Sequence, residues 1–290
     1  MSRWLKFKYS ANRVLHSFHI VKNSPWPVMV ALSLGLALLY TVLWLHEYTN
    51  ADTCFVRILI LSWPIFFYSF INWLWDIIIE GLFEGRHTRA VQNGLRVGFV
   101  LFIVSEVIFF VSFFWAFFHS SISPSIWIGA VWPPLGIKTL SPWGWPFVNT
   151  VILLSSGITV TWAHKVLSTR RSNVKSDPIK IWNARLEGFK GLLATIFLGV
   201  LFTWIQLYEY QNSLFNISDS IYGSVFFLLT GFHGLHVLIG TIFLLVCTLR
   251  HFSYHFARDH QLGLEIAIWY WHFVDIVWIF LFIFVYVWGA

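Results

Sequence analysis

Apolar residues fall along this chain in long unbroken runs separated by short polar stretches. A helix needs about 20 mostly apolar residues to cross a bilayer core of about 30 Å. Seven runs qualify: 27–46, 55–78, 95–118, 146–167, 189–208, 222–249 and 265–288. None shows the period-2 alternation of a membrane strand. The pattern predicts an all-α integral membrane protein with seven transmembrane helices. Helix ends carry punctuation where it is expected. Ser24-Pro25-Trp26-Pro27 opens the first span, Trp132-Pro133-Pro134 and Pro142 interrupt the chain before the fourth, and Asp219 is placed to cap the sixth. The organisation expected is a basic tail over 1–26, spans one and two over 27–78, a loop over 79–94, and spans three to seven over 95–290.

Composition agrees. Only 11% of the 290 residues are charged, against roughly 25% in ordinary soluble domains. Hydrophobic residues make up 58% and aromatics 20%, and so few charges could not cover a soluble surface. Disorder, a collagen-like chain, a coiled coil and a nucleic-acid binder are excluded. The basic residues suggest an orientation. Seventeen of 19 Lys and Arg fall before span one or in the loops 2–3, 4–5 and 6–7, whereas Lys138 and Arg57 alone belong to the other side. By the positive-inside rule the N-terminal tail and the 165–190 loop lie on the negative side and Ala290 on the opposite one. Cys54 and Cys247 cannot build a disulfide framework or a CxxC site, and two free thiols are expected.

Ionisable residues at membrane depth are costly and raise functional hypotheses. Glu106 lies 12 residues beyond Gly94, about 18 Å along the helix at 1.5 Å per residue. Its neighbours Ser105, Val107, Ile108, Phe109 and Phe110 favour the neutral carboxyl by desolvation. Two readings remain open for it, a proton relay and a carboxyl hydrogen-bonded within the bundle. Gly231-Phe232-His233-Gly234-Leu235-His236 sets two histidines at i, i+3, and His272 and Asp275 repeat that spacing in the last span. Metal or haem ligation is one reading. A haem-b bundle, however, needs paired histidines two layers apart, and His119 and His164 stand only at span ends. Interhelical hydrogen bonds, about 0.6 kcal/mol each on average, suit these positions better, with the flanking glycines permitting close backbones. Gly94-xxx-Gly98 and Gly191-xxx-Thr195-xxx-Gly199 are small-residue stripes of the same kind. The aromatic run Phe109–Phe118 is expected at lipid or in packing.

These residues, taken with others, carry a resemblance to the cytochrome c oxidase subunit III family. The matching stretches include His16, His19 and Ser24-Pro25-Trp26-Pro27; Gly85, His87 and Thr88 with Val91-Gln92 and Gly94-Leu95-Arg96; Ser105-Glu106, Phe114-Trp115-Ala116-Phe117 and His119-Ser120-Ser121. They continue with Val131-Trp132-Pro133-Pro134, Val160-Thr161-Trp162-Ala163-His164, Asp219 to Ser224, Thr230 to His236, and Trp269 to Asp275. Only about the first 15 residues and the 168–185 loop look unlike the family. The resemblance implies two helices set apart from a five-helix bundle, with phospholipid in the V-shaped cleft between them. It implies no catalytic, cofactor-binding or metal residue in this chain, with haem and copper in partner subunits I and II. Glu106 matches the family's carbodiimide-reactive carboxyl, and Trp73, Glu80, His87 and Arg96 become candidate lipid contacts. His233, His236, His272 and Asp275 become intramembrane packing residues. The implied work is to support subunit I, its proton uptake and its oxygen supply, in a mitochondrial inner membrane or a bacterial plasma membrane. Two departures from the family stand out: its Trp-Trp-Arg-Asp is here Trp73-Leu74-Trp75-Asp76, and Ile79 replaces the usual arginine before Glu80. Two cations that would meet lipid head groups are thus missing at Trp75 and Ile79, and Arg86 and Arg89, where the family tends to have His and Pro, are placed to compensate. A quinol oxidase subunit typically lacks the first two helices, which residues 27–78 supply. A secondary transporter should show inverted repeats and broken helices, and neither is visible.

Overall fold

The computed structural model describes His16 and residues 18–45, 53–169, 178–256 and 261–289. The expectations for the tail before residue 16, the centre of the 165–190 loop, the Cys54 thiol and Ala290 lie outside those described residues. Seven helices are long and apolar enough to cross a membrane: α1 (Trp26–Leu45), α2 (Thr53–Leu82), α3 (Arg89–Ile122), α4 (Trp145–Thr169), α5 (Pro178–Gln211), α6 (Ser220–Phe252) and α7 (Leu262–Leu281), the last continuing as a π-helical segment, Phe282–Trp288. No strand is present among the described residues. Most helices outrun their apolar runs, because polar turns beyond the hydrocarbon region keep their backbone hydrogen bonds. The stretch read as a loop over 79–94 therefore divides: 79–82 belongs to α2 and 89–94 to α3.

The chain forms two compact units, Met1–Leu95 and Arg96–Ala290. In the first, α1 packs along α2. Trp26 at the start of α1 meets Tyr68 of α2 at 5.9 Å between ring centroids, and Ser24 donates to Asp76 at 3.1 Å, so the two helices run antiparallel. Their buried positions include Ser33 and Ala37 on α1 and Ser62 and Ser69 on α2, small residues that let backbones approach.

In the second unit α4, α5, α6 and α7 pack in a closed ring, each on the next and α7 back on α4. The core is built on Trp271, Trp278, Phe202, Phe226 and Leu244. The stripe Gly191–Thr195–Gly199 earns its place there. A Cβ on Gly191 would lie 2.9 Å from that of Ala163, and Thr195 is 2.8 Å from Thr159. A Cβ on Gly199 would stand 2.7 Å from Trp271 and from Thr241. The other stripe behaves differently. A Cβ at Gly94, Gly98, Gly231 or Gly234 would meet no atom within 4 Å, so these glycines do not mark close helix contacts.

α3 joins this unit through rings. Phe109 meets Phe232 of α6 at 5.0 Å, Phe110 meets Phe273 of α7 at 6.1 Å, and Phe118 meets Phe284 at 5.2 Å. The aromatic run thus serves packing on one face, while Trp115 points outward. Asp219 does precede α6, but its carboxylate accepts the Asn216 amide at 2.8 Å rather than capping the helix.

Candidate functional site

α3 and α6 bring Glu106 and His236 together. His236 Nε2 lies 2.8 Å from Glu106 Oε2, and His236 Nδ1 lies 2.6 Å from the Phe232 carbonyl. A carbonyl only accepts, so Nδ1 carries a proton and donates it. The Nε2 contact to Glu106 then holds a single shared proton, either on the carboxyl with a neutral imidazole or on an imidazolium facing a carboxylate. Phe109, Phe110, Tyr270 and Phe273 surround the imidazole. The intramembrane acid therefore has a partner on another helix.

The remaining intramembrane residues are engaged separately. His233 is fully buried, and its Nε2 donates to the Val274 carbonyl at 3.2 Å; with that proton on Nε2, Nδ1 of the neutral ring is left without a partner. His272 Nε2 is 3.3 Å from the Thr161 hydroxyl, whose own proton goes to the Gly157 carbonyl at 2.7 Å, so the imidazole donates. Asp275 is buried against Gly157, where a Cβ would come within 2.9 Å of its Oδ2. Its Oδ1 has no hydrogen-bond partner. His233, His236 and His272 thus each answer to a different neighbour.

Sequence reading passed over one buried acid. The fifth apolar run ends at residue 208, which sets Glu209 outside the span, yet α5 continues to Gln211 and buries Glu209 to 3% exposure. Tyr286, carried by the π-helical segment after α7, donates to Glu209 Oε1 at 2.8 Å. Gln206 Nε2 reaches the same phenol at 3.4 Å, and Asn149 donates to Gln206 at 3.3 Å. The signal available was Gln206 and Glu209 at i, i+3, on one face.

In the first unit, the chain before α1 is held to the end of α2. Lys22 Nζ is 2.9 Å from Glu84 Oε1, and Arg86 Nε is 3.4 Å from its other oxygen. The Lys22 hydrogen bond holds the Glu84 carboxyl below its ordinary range, against a smaller opposing effect of burial. His19 Nε2 is 3.8 Å from Glu80 Oε2, and the His19 and His87 rings lie 5.5 Å apart. Glu80 and His87, two of the four candidate lipid contacts, are therefore neighbours, and Trp73 is half-buried on α2. In the second unit Arg96 donates to Glu265 Oε2 of α7 from Nε at 3.1 Å and from Nη2 at 2.9 Å, a charge-assisted contact.

Fold and site define a multi-pass membrane protein whose intramembrane acids and histidines are tied helix to helix. The chain belongs to the cytochrome c oxidase subunit III family: the model of that family matches residues 16–290. Among curated proteins it is 50% identical over 275 residues to cytochrome c oxidase subunit 3 of Anopheles gambiae, covering 95% of this chain and 98% of that relative. It is 49% identical to the Drosophila melanogaster protein of the same name, with the same coverage. The Marchantia polymorpha relative is 48% identical, with 95% of this chain and 97% of that protein covered. The chain is thus a subunit of the oxidoreductase complex IV and works in a complex with other subunits.

Proposed function

We propose that this chain is a supporting subunit without a redox centre of its own. Haem and copper reside in partner subunits I and II, and the chain stabilises subunit I and its proton-uptake route while cytochrome c passes electrons to oxygen. The observation that supports this reading is the Glu106–His236 hydrogen bond at 2.8 Å, which gives the intramembrane acid a helix-joining role. Phospholipid binds the chain, with Trp73, Glu80, His87 and Arg96 as the residues that meet its head groups. The membrane is the mitochondrial inner membrane, with the N-terminal tail on the matrix side. Relatives from a mosquito, a fly and a liverwort support that location.

Two measurements test the reading. Mild-detergent purification should recover the chain with subunits I and II and with phospholipid. The isolated chain should show no visible haem band and no stoichiometric copper. A haem spectrum or copper content that follows this chain away from the others would overturn the proposal.

A further inference from the structure

We propose that the groove between α4 and α7 is a docking surface for a transmembrane helix of another subunit, one that brings a hydrogen-bond donor to Asp275. The groove has a volume of about 500 Å³ and lies wholly within the second unit. One side of it is a stripe along α4: Leu154, Gly157, Ile158, Thr161 and Lys165. From Leu154 to Lys165 the stripe runs about 16 Å at 1.5 Å per residue, a length that suits a helix laid alongside. Its apolar positions stand open, Ile158 at 72% exposure and Leu154 at 42%. Gly157 and Thr161 between them are small, and small residues on a membrane face let a second backbone come close.

A carboxyl without a partner sets this face apart from ordinary lipid-facing surface. Asp275 is 9% exposed, and its Oδ1 has no hydrogen-bond partner. Its Oδ2 lies over Gly157, 2.9 Å from where a Cβ would stand, so glycine leaves room for the carboxyl at the groove. Thr161 and His272, the polar groups beside it, are already joined to each other at 3.3 Å. Depth decides where the missing donor comes from. Asp275 is the middle residue of the span Leu262–Trp288, and Gly157 is central in Trp145–Ser168. Both therefore sit near the bilayer midplane, beyond the reach of water and of phospholipid head groups. Acyl chains cover apolar residues but donate no hydrogen bond, and an unsatisfied polar group at that depth is costly. A hydroxyl, amide, indole or basic side chain on a neighbouring helix supplies what lipid does not. This docking rests on the reading of the chain as a supporting subunit, and needs only that it works beside others, whichever of them hold haem and copper.

The test uses the intact oxidase complex with Leu154→Met labelled as photo-methionine, a volume-conserving exchange on the rim of the groove. Irradiation should join position 154 to a transmembrane helix of one other subunit, within about two turns of a donor side chain, as peptide mass spectrometry reads. An adduct with phospholipid alone, with a second copy of this chain, or with a helix apolar through that stretch would overturn the docking. Two variants then weigh the carboxyl. Release of the identified subunit from the complex in detergent should quicken about three- to tenfold in Asp275→Val, the range that one intramembrane hydrogen bond supports. It should stay near wild type in Asp275→Asn, whose amide oxygen still accepts. A carboxyl merely stranded in the bundle behaves in the opposite way, because valine would relieve it, so release unchanged or slower in Asp275→Val would overturn the donor contact. Should Asp275→Val not assemble, the adduct at position 154 still decides. Recovery of subunits I and II with no adduct at 154 would remove this surface and leave the reading of the chain as a supporting subunit in place.

Discussion

Glu106 shows how far a single residue could be read. Its depth and apolar neighbours follow from the sequence, because a helix advances 1.5 Å per residue. Its partner does not, because His236 lies 130 positions away and no local spacing links the two. With Nδ1 of His236 committed to Phe232, a glutamine at 106 can still donate its amide to Nε2. Glu106→Gln should therefore leave oxidase turnover and proton stoichiometry near wild type, while carbodiimide labelling of this chain disappears. Glu106→Ala removes the partner outright and should cost about 1–3 kcal/mol, the penalty of a stranded buried polar group, seen as a lower thermal midpoint of the complex. Loss of pumping in an assembled Glu106→Gln complex would instead assign the carboxyl to proton transfer. Glu209 was illegible for a different reason. Hydropathy ends a span where charge begins, but the helix and its burial continue while a tyrosine supplies the hydrogen bond.

Helices were legible as apolar runs, and their packing only in part, as the two small-residue stripes show. Spacing alone makes Gly94–Gly98 and Gly191–Gly199 equivalent. What separates them is the neighbour: Trp271 and Thr241 crowd Gly199, and nothing stands over Gly94. Gly199→Ala should push α5 from α6 and α7 and destabilise by about 1–3 kcal/mol, as overpacking does. Gly94→Ala should be neutral or stabilising by up to about 1 kcal/mol, since it relieves only the backbone entropy of glycine in a helix. Thermal melts of the two variant complexes should diverge in that direction. The chain before α1 offers a pH test at the same scale. Because Lys22 lowers the Glu84 carboxyl below its ordinary 4.5, the pair contributes above that value and is lost as pH falls through the lower folded value. Hydrogen exchange of amides 20–24, corrected for the intrinsic rate, should stay slow at pH 5 and rise only below about pH 4.5. The effect should be small, as for any partly exposed ion pair. A Glu84→Gln variant should lose this acid dependence.

For the whole molecule, the sequence carries an orientation that helices alone do not. The described residues hold seven candidate spans, and an odd number of crossings would place the two ends of the chain on opposite sides. The segments before α1, between α2 and α3, between α4 and α5, and between α6 and α7 then share one side. Those segments, together with the stretches of helix that adjoin them, hold 17 of the 19 Lys and Arg. Basic residues in short loops resist translocation, and such an excess fixes which side stays behind. Among the described residues Lys22 precedes α1, Arg86 and Arg89 stand between the end of α2 and the start of α3, Lys165 lies in the last turns of α4, Arg185 and Lys190 lie in the first half of α5, Arg250 lies near the end of α6, and Lys138 lies between α3 and α4. In the orientation proposed above, cutting the 165–190 loop would require access from the matrix. In sealed inner membranes, a protease added outside should spare that loop, and inverted vesicles should expose it, while a tag after Ala290 should behave in the opposite way. Cleavage of the loop from the intermembrane side would reverse the proposed orientation.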